Sequence, residues 1–266
     1  MSRTVAIVQA RTGSVRLPNK TLEPVLGAPM LLRQLERVAC ADRLDEIVIA
    51  TTTNSADDSL VEVADGAGYR VVRGSEEDVL DRYRVAASEA QADVVVRLTG
   101  DCPLIDPEVI DEAVEAWRNG PDEGFVSNAL SETYPDGMDT EVFSRRLLER
   151  AAREARLPSE REHVTFFLWK SGLFPVQSLT AQQSLGQLRL TVDYPEDLEW
   201  VRRIYELLYP RDEFFSLHDI VAALPELGTP PNSGIGRNEG WQPALTADTR
   251  SMDETARPAD SGDNGP

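Results

Sequence analysis

The chain has 266 residues, a formal net charge of −19 and 41% hydrophobic residues. That apolar content suffices for a real core, and no run of about eighteen apolar residues offers a membrane span. The acidity argues against general nucleic-acid binding, because such a surface repels phosphates. Two cysteines, Cys40 and Cys102, make neither a disulfide framework nor a CxxC zinc pair, which points to a cytoplasmic protein.

In chain order, the first apolar run is TVAIV (Thr4 to Val8), too short for a signal peptide and suited to a strand. The loop QARTGSVRLPNK follows, then PMLLRQLERVACA, whose Leu31, Leu32, Leu35 and Val38 have helical spacing. EIVIAT, YRVVRG and DVVVRLTGD read as three more strands, with helices over DDSLVEVADGAG and VLDRYRVAASEA between them. DPEVIDEAVEAW then begins a helix, with Asp106 as N-cap and Pro107 at the first position. Strands this apolar, separated by helices, predict a doubly wound α/β sheet, mostly parallel and covered on both faces. Beyond about residue 120, GFVSNAL and MDTEVFS read as strands around the turn TYPDG. Helices are expected over SRRLLERAAREAR and SEREHVTFFLWK, then a strand over LRLTVD, then helices over PEDLEWVRRIYELLY and FSLHDIVAALPEL. From about Gly228 apolar periodicity ends. Residues 1–228 are expected to form one domain, and residues 229–266 a disordered acidic tail.

In a doubly wound sheet, ligands bind beyond the carboxyl ends of the strands where the strand order reverses. The QARTGSVRLPNK loop leaves such an end. Gly13 and Ser14 permit tight turns with free N–H groups, and Arg11, Arg16 and Lys20 place cations around an anion. A polyphosphate suits these parts, although neither GxxxxGK[ST] nor GxGxxG is present. Asp101, in RLTGDCPLID, and Asp193, in LTVDYPED, each stand at a predicted strand's carboxyl end. Both are candidate Mg²⁺ ligands, since that ion takes one or two carboxylates plus substrate phosphates. Glu196 and Asp197 are explained by the dipole of the helix they begin.

Together QARTGSVRLPNK, RGSEEDVLDRY, VVRLTGDCPLIDPEVID, YPDGMDTEVFS, SEREHVT and LRLTVDYPEDLEWV resemble the spore-coat polysaccharide biosynthesis protein F type of cytidylyltransferase. These are relatives of the CMP-sugar-acid synthetases for acylneuraminate and Kdo. The resemblance runs in order from about Val5 to Leu224. It implies a Rossmann-like nucleotide-diphospho-sugar transferase fold with a small inserted β/α region for dimerisation or acceptor binding. It also implies transfer of CMP from CTP to the hydroxyl of a sugar acid or related acceptor, with Mg²⁺ and release of pyrophosphate. Arg11, Lys20 and Asp101 would be catalytic. Gln9, Ala10, Arg11, Thr12, Gly13, Ser14, Arg16 and Lys20 would hold CTP, the cations at its phosphates, with Arg73, Gly74 and Ser75 near base and ribose. Asp101 and Asp193 would bind the metal. Tyr134, Asp136, Asp139, Glu141 and His163 are the acceptor-side candidates. A homodimer is implied. Asn19 departs from the glycine common before the lysine. Another NTP, a phosphonate or alcohol acceptor, or a non-catalytic sugar-nucleotide-binding protein remain alternatives at this stage.

Overall fold

The computed structural model describes residues 2–121, 123–237 and 243–249. The elements in chain order are β1 (Thr4–Gln9), β2 (Pro24–Val25), β3 (Ala28–Pro29), α1 (Met30–Val38), β4 (Glu46–Thr52), α2 (Asp58–Gly66), β5 (Arg70–Gly74), α3 (Val79–Glu89) and β6 (Val94–Thr99). They continue with α4 (Pro107–Asn119), β7 (Phe125–Ser127), β8 (Glu141–Ser144), α5 (Arg145–Glu154), α6 (Pro158–Glu162), α7 (Phe166–Lys170), β9 (Val176–Ser178), α8 (Pro195–Leu208) and α9 (Leu217–Leu227).

Seven strands form the main sheet in the order β5-β4-β1-β6-β8-β7-β9. β5, β4, β1 and β6 are parallel neighbours, whereas β8 pairs antiparallel with both β6 and β7. This is the expected Rossmann-like, mostly parallel sheet. The β1 residues explain its double cover. Ala6 and Val8 are fully buried on one face against α1, α4 and α8, and Val5 and Ile7 are fully buried on the other against α3 and α5. Successive strand residues point to opposite faces, so a strand buried on both must be apolar throughout.

The capping expected at α4 is present: Asp106 accepts from the Glu108 N–H at 2.9 Å, with Pro107 at the first position. The order reverses at β1, which lies between β4 and β6. The loops after β1 and β6 therefore flank one crevice.

Three expected elements differ. LRLTVD is extended, but it makes only one isolated bridge, Arg189 to Asp136. Its backbone is satisfied by loops instead: the Leu190 N–H donates to Asp136 O at 2.7 Å and the Val192 N–H to Asp101 O at 2.8 Å. The helix expected over SEREHVTFFLWK breaks into α6 and α7 at His163–Thr165, where Val164 takes a left-handed φ of 51°. Thr165 there turns its hydroxyl onto the buried Glu141 carboxylate.

The expected disordered tail is the third. Residues 229–237 and 243–249 lie against the domain, and residues 238–242 and 250–266 fall outside the described residues. The attachment is made by polar side chains and one buried alanine, Ala244, which leaves no apolar periodicity to signal it. The Asn232 side chain donates to Asp197 at 3.0 Å, and Asp248 accepts from the Ser159 N–H at 2.9 Å.

Candidate active site

The loop after β1 is pinned at its root by Asp57, a buried carboxylate. It accepts from the Thr12 N–H and Thr12 hydroxyl, both at 2.7 Å, and from the hydroxyls of Thr51 and Thr52. Burial opposes the Asp57 charge, but these donors outweigh it and hold the carboxyl below its usual range. The loop then turns through Gly13, with the Ser14 and Asn19 N–H groups both donating to Thr12 O. Asn19 is left-handed, with φ 58°. Glycine and asparagine are the residues that adopt this region at low cost, so the departure at this position preserves the backbone.

That turn delivers Lys20 into the crevice. Its side chain is nearly buried, and Nζ donates to Val192 O at 2.6 Å, to Asp193 at 3.0 Å and to Asp101 at 3.3 Å. Burial alone would lower the Lys20 pKa, but the two carboxylates more than offset it and raise it. The same contacts hold Asp101 and Asp193 below the usual carboxylate range against their own burial. Arg16 adds a second cation, 2.8 Å from Asp193 and over the Tyr194 ring. Sequence order alone gave no reason to expect Arg189 here. It forms ion pairs with Asp136 at 2.8 Å and Asp193 at 2.7 Å.

Two cavities meet at this cluster. The larger, about 1060 Å³, is lined by Gln9, Ala10, Arg11, Gly13, Ser14, Arg16 and Lys20 of the loop, and by Ser75, Asp101, His163 and Asp193. The smaller, about 180 Å³, is lined by Asp136, Asp139, Arg189 and Arg237 among others. Arg16, Thr99, Asp101 and Asp193 belong to both walls. Arg82 was missed in the sequence. It is buried on the floor of the larger cavity and donates to Ser75 O at 3.1 Å.

Several candidates stand elsewhere. Thr12 is turned inward to Asp57. Arg73 points away, tying β5 to β4 and α2 through Thr52 O, Asn54 O and Asp58, and Gly74 packs beneath Arg82. The Tyr134 hydroxyl donates to Glu112 at 2.6 Å rather than into either cavity. Glu141 is buried, paired with Arg97 at 2.5 Å and accepting from Thr165. His163 reaches the larger cavity, and burial among cations lowers its pKa to about 4. Asp139 is moved the other way, to about 7, first by burial and then by its acidic neighbours, with Arg237 opposing.

Among the described residues no group of three or more Asp, Glu, His and Cys could hold a metal by itself. Asp101 and Asp193 share one ammonium, so they are two nearby hard oxygen donors. That set fits Mg²⁺ when substrate phosphates complete the shell.

Fold and site define an α/β protein whose strand-end cleft is edged by cations and backed by two carboxylates. A family model described as cytidylyltransferase matches residues 5–209, and the chain belongs to that family of CTP-dependent nucleotidyltransferases. The spore coat polysaccharide biosynthesis protein SpsF of Bacillus subtilis is 39% identical over 217 residues, 77% of this chain and 88% of that protein. The 3-deoxy-manno-octulosonate cytidylyltransferase of Zea mays is 36% identical over 143 residues, 52% of this chain and 47% of that protein. A solved cytidylyltransferase from Leptospira borgpetersenii superposes with a TM-score of 0.80 at 33% identity, covering 85% of this chain and 95% of that one. No helix among the described residues is long and apolar enough to cross a membrane.

Proposed function

We propose that the larger cavity holds CTP, with its phosphates on the loop from Gln9 to Lys20, and that the smaller cavity holds a sugar acid or related acceptor. The carrying observation is the shared wall: Asp101 and Asp193 line both cavities, where a donor phosphate and an acceptor hydroxyl would meet. Arg11 and Arg16 are each about half exposed, so they can re-pair from Glu76 and Asp193 to phosphate oxygens at small cost. Ser75 lines the same cavity and is assigned to the base or ribose.

The acceptor hydroxyl oxygen forms a bond to the α-phosphorus as the bond from that phosphorus to the departing pyrophosphate breaks, and the hydroxyl's proton passes to solvent water. Lys20 carries a positive charge to this point and orients both carboxylates before substrate arrives. Bound between Asp101, Asp193 and the phosphates, Mg²⁺ would neutralise charge and lower the pKa of the attacking hydroxyl. Asp136 and Asp139 accept hydrogen bonds from acceptor hydroxyls. The enzyme is read as a cytoplasmic homodimer, and the dimer is supported by exposed Val176 on the edge strand β9 and exposed Leu173 just before it.

Pyrophosphate release from CTP, ATP, GTP and UTP with Mg²⁺, over a panel of sugar acids and neutral sugars, tests the reading. Release with CTP and a sugar acid, abolished by EDTA, is expected. Preference for another NTP would overturn the donor assignment, and light scattering decides the dimer.

A further inference from the structure

The matched family region ends at residue 209, and the chain then returns to the site from its far end. Arg237 comes from the segment where the sequence shows no core pattern, yet its side chain is only 8% exposed. Nη2 donates to Tyr134 O at 2.9 Å and pairs with Asp139 at 3.4 Å, and Nε is 4.0 Å from Asp136. Nη1 is buried without a hydrogen-bond partner among the described residues. A buried guanidinium N–H lacking an acceptor carries an unrecovered desolvation cost, and a carboxylate oxygen supplies the missing acceptor in its strongest form.

The charges around it sharpen the point. Four carboxylates line the smaller cavity, Asp101, Asp136, Asp139 and Asp193, against three guanidiniums. Both terminal nitrogens of Arg189 are already committed to carboxylates, and Arg16, now paired with Asp193, is assigned above to the donor's phosphates. The carboxylates suit the hydroxyls of a sugar and repel an anion. We propose that Arg237, which lines the smaller cavity, is a specificity-determining residue that receives the acceptor's carboxylate through its unpartnered Nη1, so that the segment ending at Arg237 forms part of the substrate site. The inference rests on the CTP-transfer and sugar-acid reading above and adds the residue that selects the acceptor's carboxylate.

The test compares wild type, Arg237→Gln and Arg237→Lys on sugar acids and on matching sugars whose carboxylate is replaced by hydroxymethyl. Pyrophosphate release gives the acceptor KM, and calorimetry gives the CTP Kd, which also reports folding. Wild type is expected to prefer the acids. Arg237→Gln should raise the KM for acids roughly tenfold to a hundredfold, as loss of a hydrogen bond to a charged group does, and move that for neutral sugars less than about twofold. Arg237→Lys should recover part of the loss, because it restores charge without the planar fork. An equal rise for acids and neutral sugars would mark the role as structural and overturn the proposal. Unchanged or faster turnover, or a wild type that uses no acid in the panel, would overturn it as well. If CTP still binds in those cases, the nucleotide reading stands; if CTP fails to bind wild type, both fall.

Discussion

The two sides of the cleft are built differently. The side proposed for nucleotide takes its longest contiguous run of lining from one loop, Gln9 to Lys20, joined by residues such as Ser75, Arg82 and Asp101. The acceptor side is assembled from a turn at Asp136–Asp139, a crossing segment at Arg189–Asp193, and Arg237, which binds a carbonyl 103 positions away. A locally held site leaves a spacing that can be read. A site joined by distant ion pairs leaves only isolated charged residues, each indistinguishable from a solvated one.

Lys20 is the residue that joins the sides, so its removal has the largest expected effect. Lys20→Ala should lower kcat/KM by roughly a hundredfold to a thousandfold, the range for one preorganised donor at a reacting centre. A loss below about tenfold would mean that the sides do not depend on the link. The same variant has a pH signature in protein free of divalent ions. The pKa values of Asp101 and Asp193 are lowered, so the stability they contribute is present above the unfolded value of about 3.9 and lost as pH falls through the lowered ones. Without Lys20 that loss begins at a higher pH, which urea midpoints between pH 3 and 7 would show.

Asp57 tests whether the loop's legibility depends on an anchor that the sequence did not reveal. Asp57→Ala strands the Thr12 N–H and the hydroxyls of Thr51 and Thr52 in a buried place, while the Thr12 hydroxyl keeps Ala56 O as an acceptor. A loss of about 3 kcal/mol is expected by urea denaturation, with weaker CTP binding as the loop loosens. A loss under about 1 kcal/mol would show that water replaces the carboxylate.

The parallel half of the sheet was readable because strand stretches buried on both faces are apolar, as in Val5–Val8 and Val94–Val96. The same property misled at LRLTVD. Its leucines and valine are buried, but its backbone pairs with the Asp136 and Asp101 loops instead of a sheet neighbour. Burial sets composition, whereas hydrogen-bond partners set the element. The loop cations and Asp101 were legible from strand-end position, and Asp193 from the end of an extended run that lies outside the sheet. Arg82, Arg189 and Arg237 were not, since a buried arginine reads as a surface one until its partners are known. Arg73 erred the other way, a motif residue spent on holding β5 to β4.

Asp139 probes the acceptor side by sign. Its folded pKa is raised to about 7, so the folded state keeps a proton that the unfolded chain has released, and stability falls as pH rises from about 4 to 7. His163, lowered to about 4, opposes this below its usual value of about 6.5, since there the unfolded chain binds the extra proton. Wild type should therefore show a shallow profile, and Asp139→Asn one that rises with pH. Relative to wild type, the variant should gain about 2 kcal/mol between pH 4.5 and 7.5, allowing for partial solvent screening. Parallel profiles would remove Asp139 as a titrating group.

The smallest effect tests which acceptor candidates belong to the pocket. The Tyr134 hydroxyl was expected to face acceptor, but it donates to Glu112 outside both cavities. Burial and that acidic partner both raise its pKa, so it stays protonated and donating across the working range. Tyr134→Phe removes one hydrogen bond to a charged group while keeping the ring in the core cluster that also holds Met138 and Leu190. Stability should fall by about 1 to 2 kcal/mol, and the acceptor KM should stay within twofold of wild type. A larger rise in KM at unchanged stability would return the hydroxyl to the acceptor site. The boundary between the sides would then lie at Tyr134 instead of at Asp136, and the Tyr134 carbonyl that receives Arg237 would become part of the same contact.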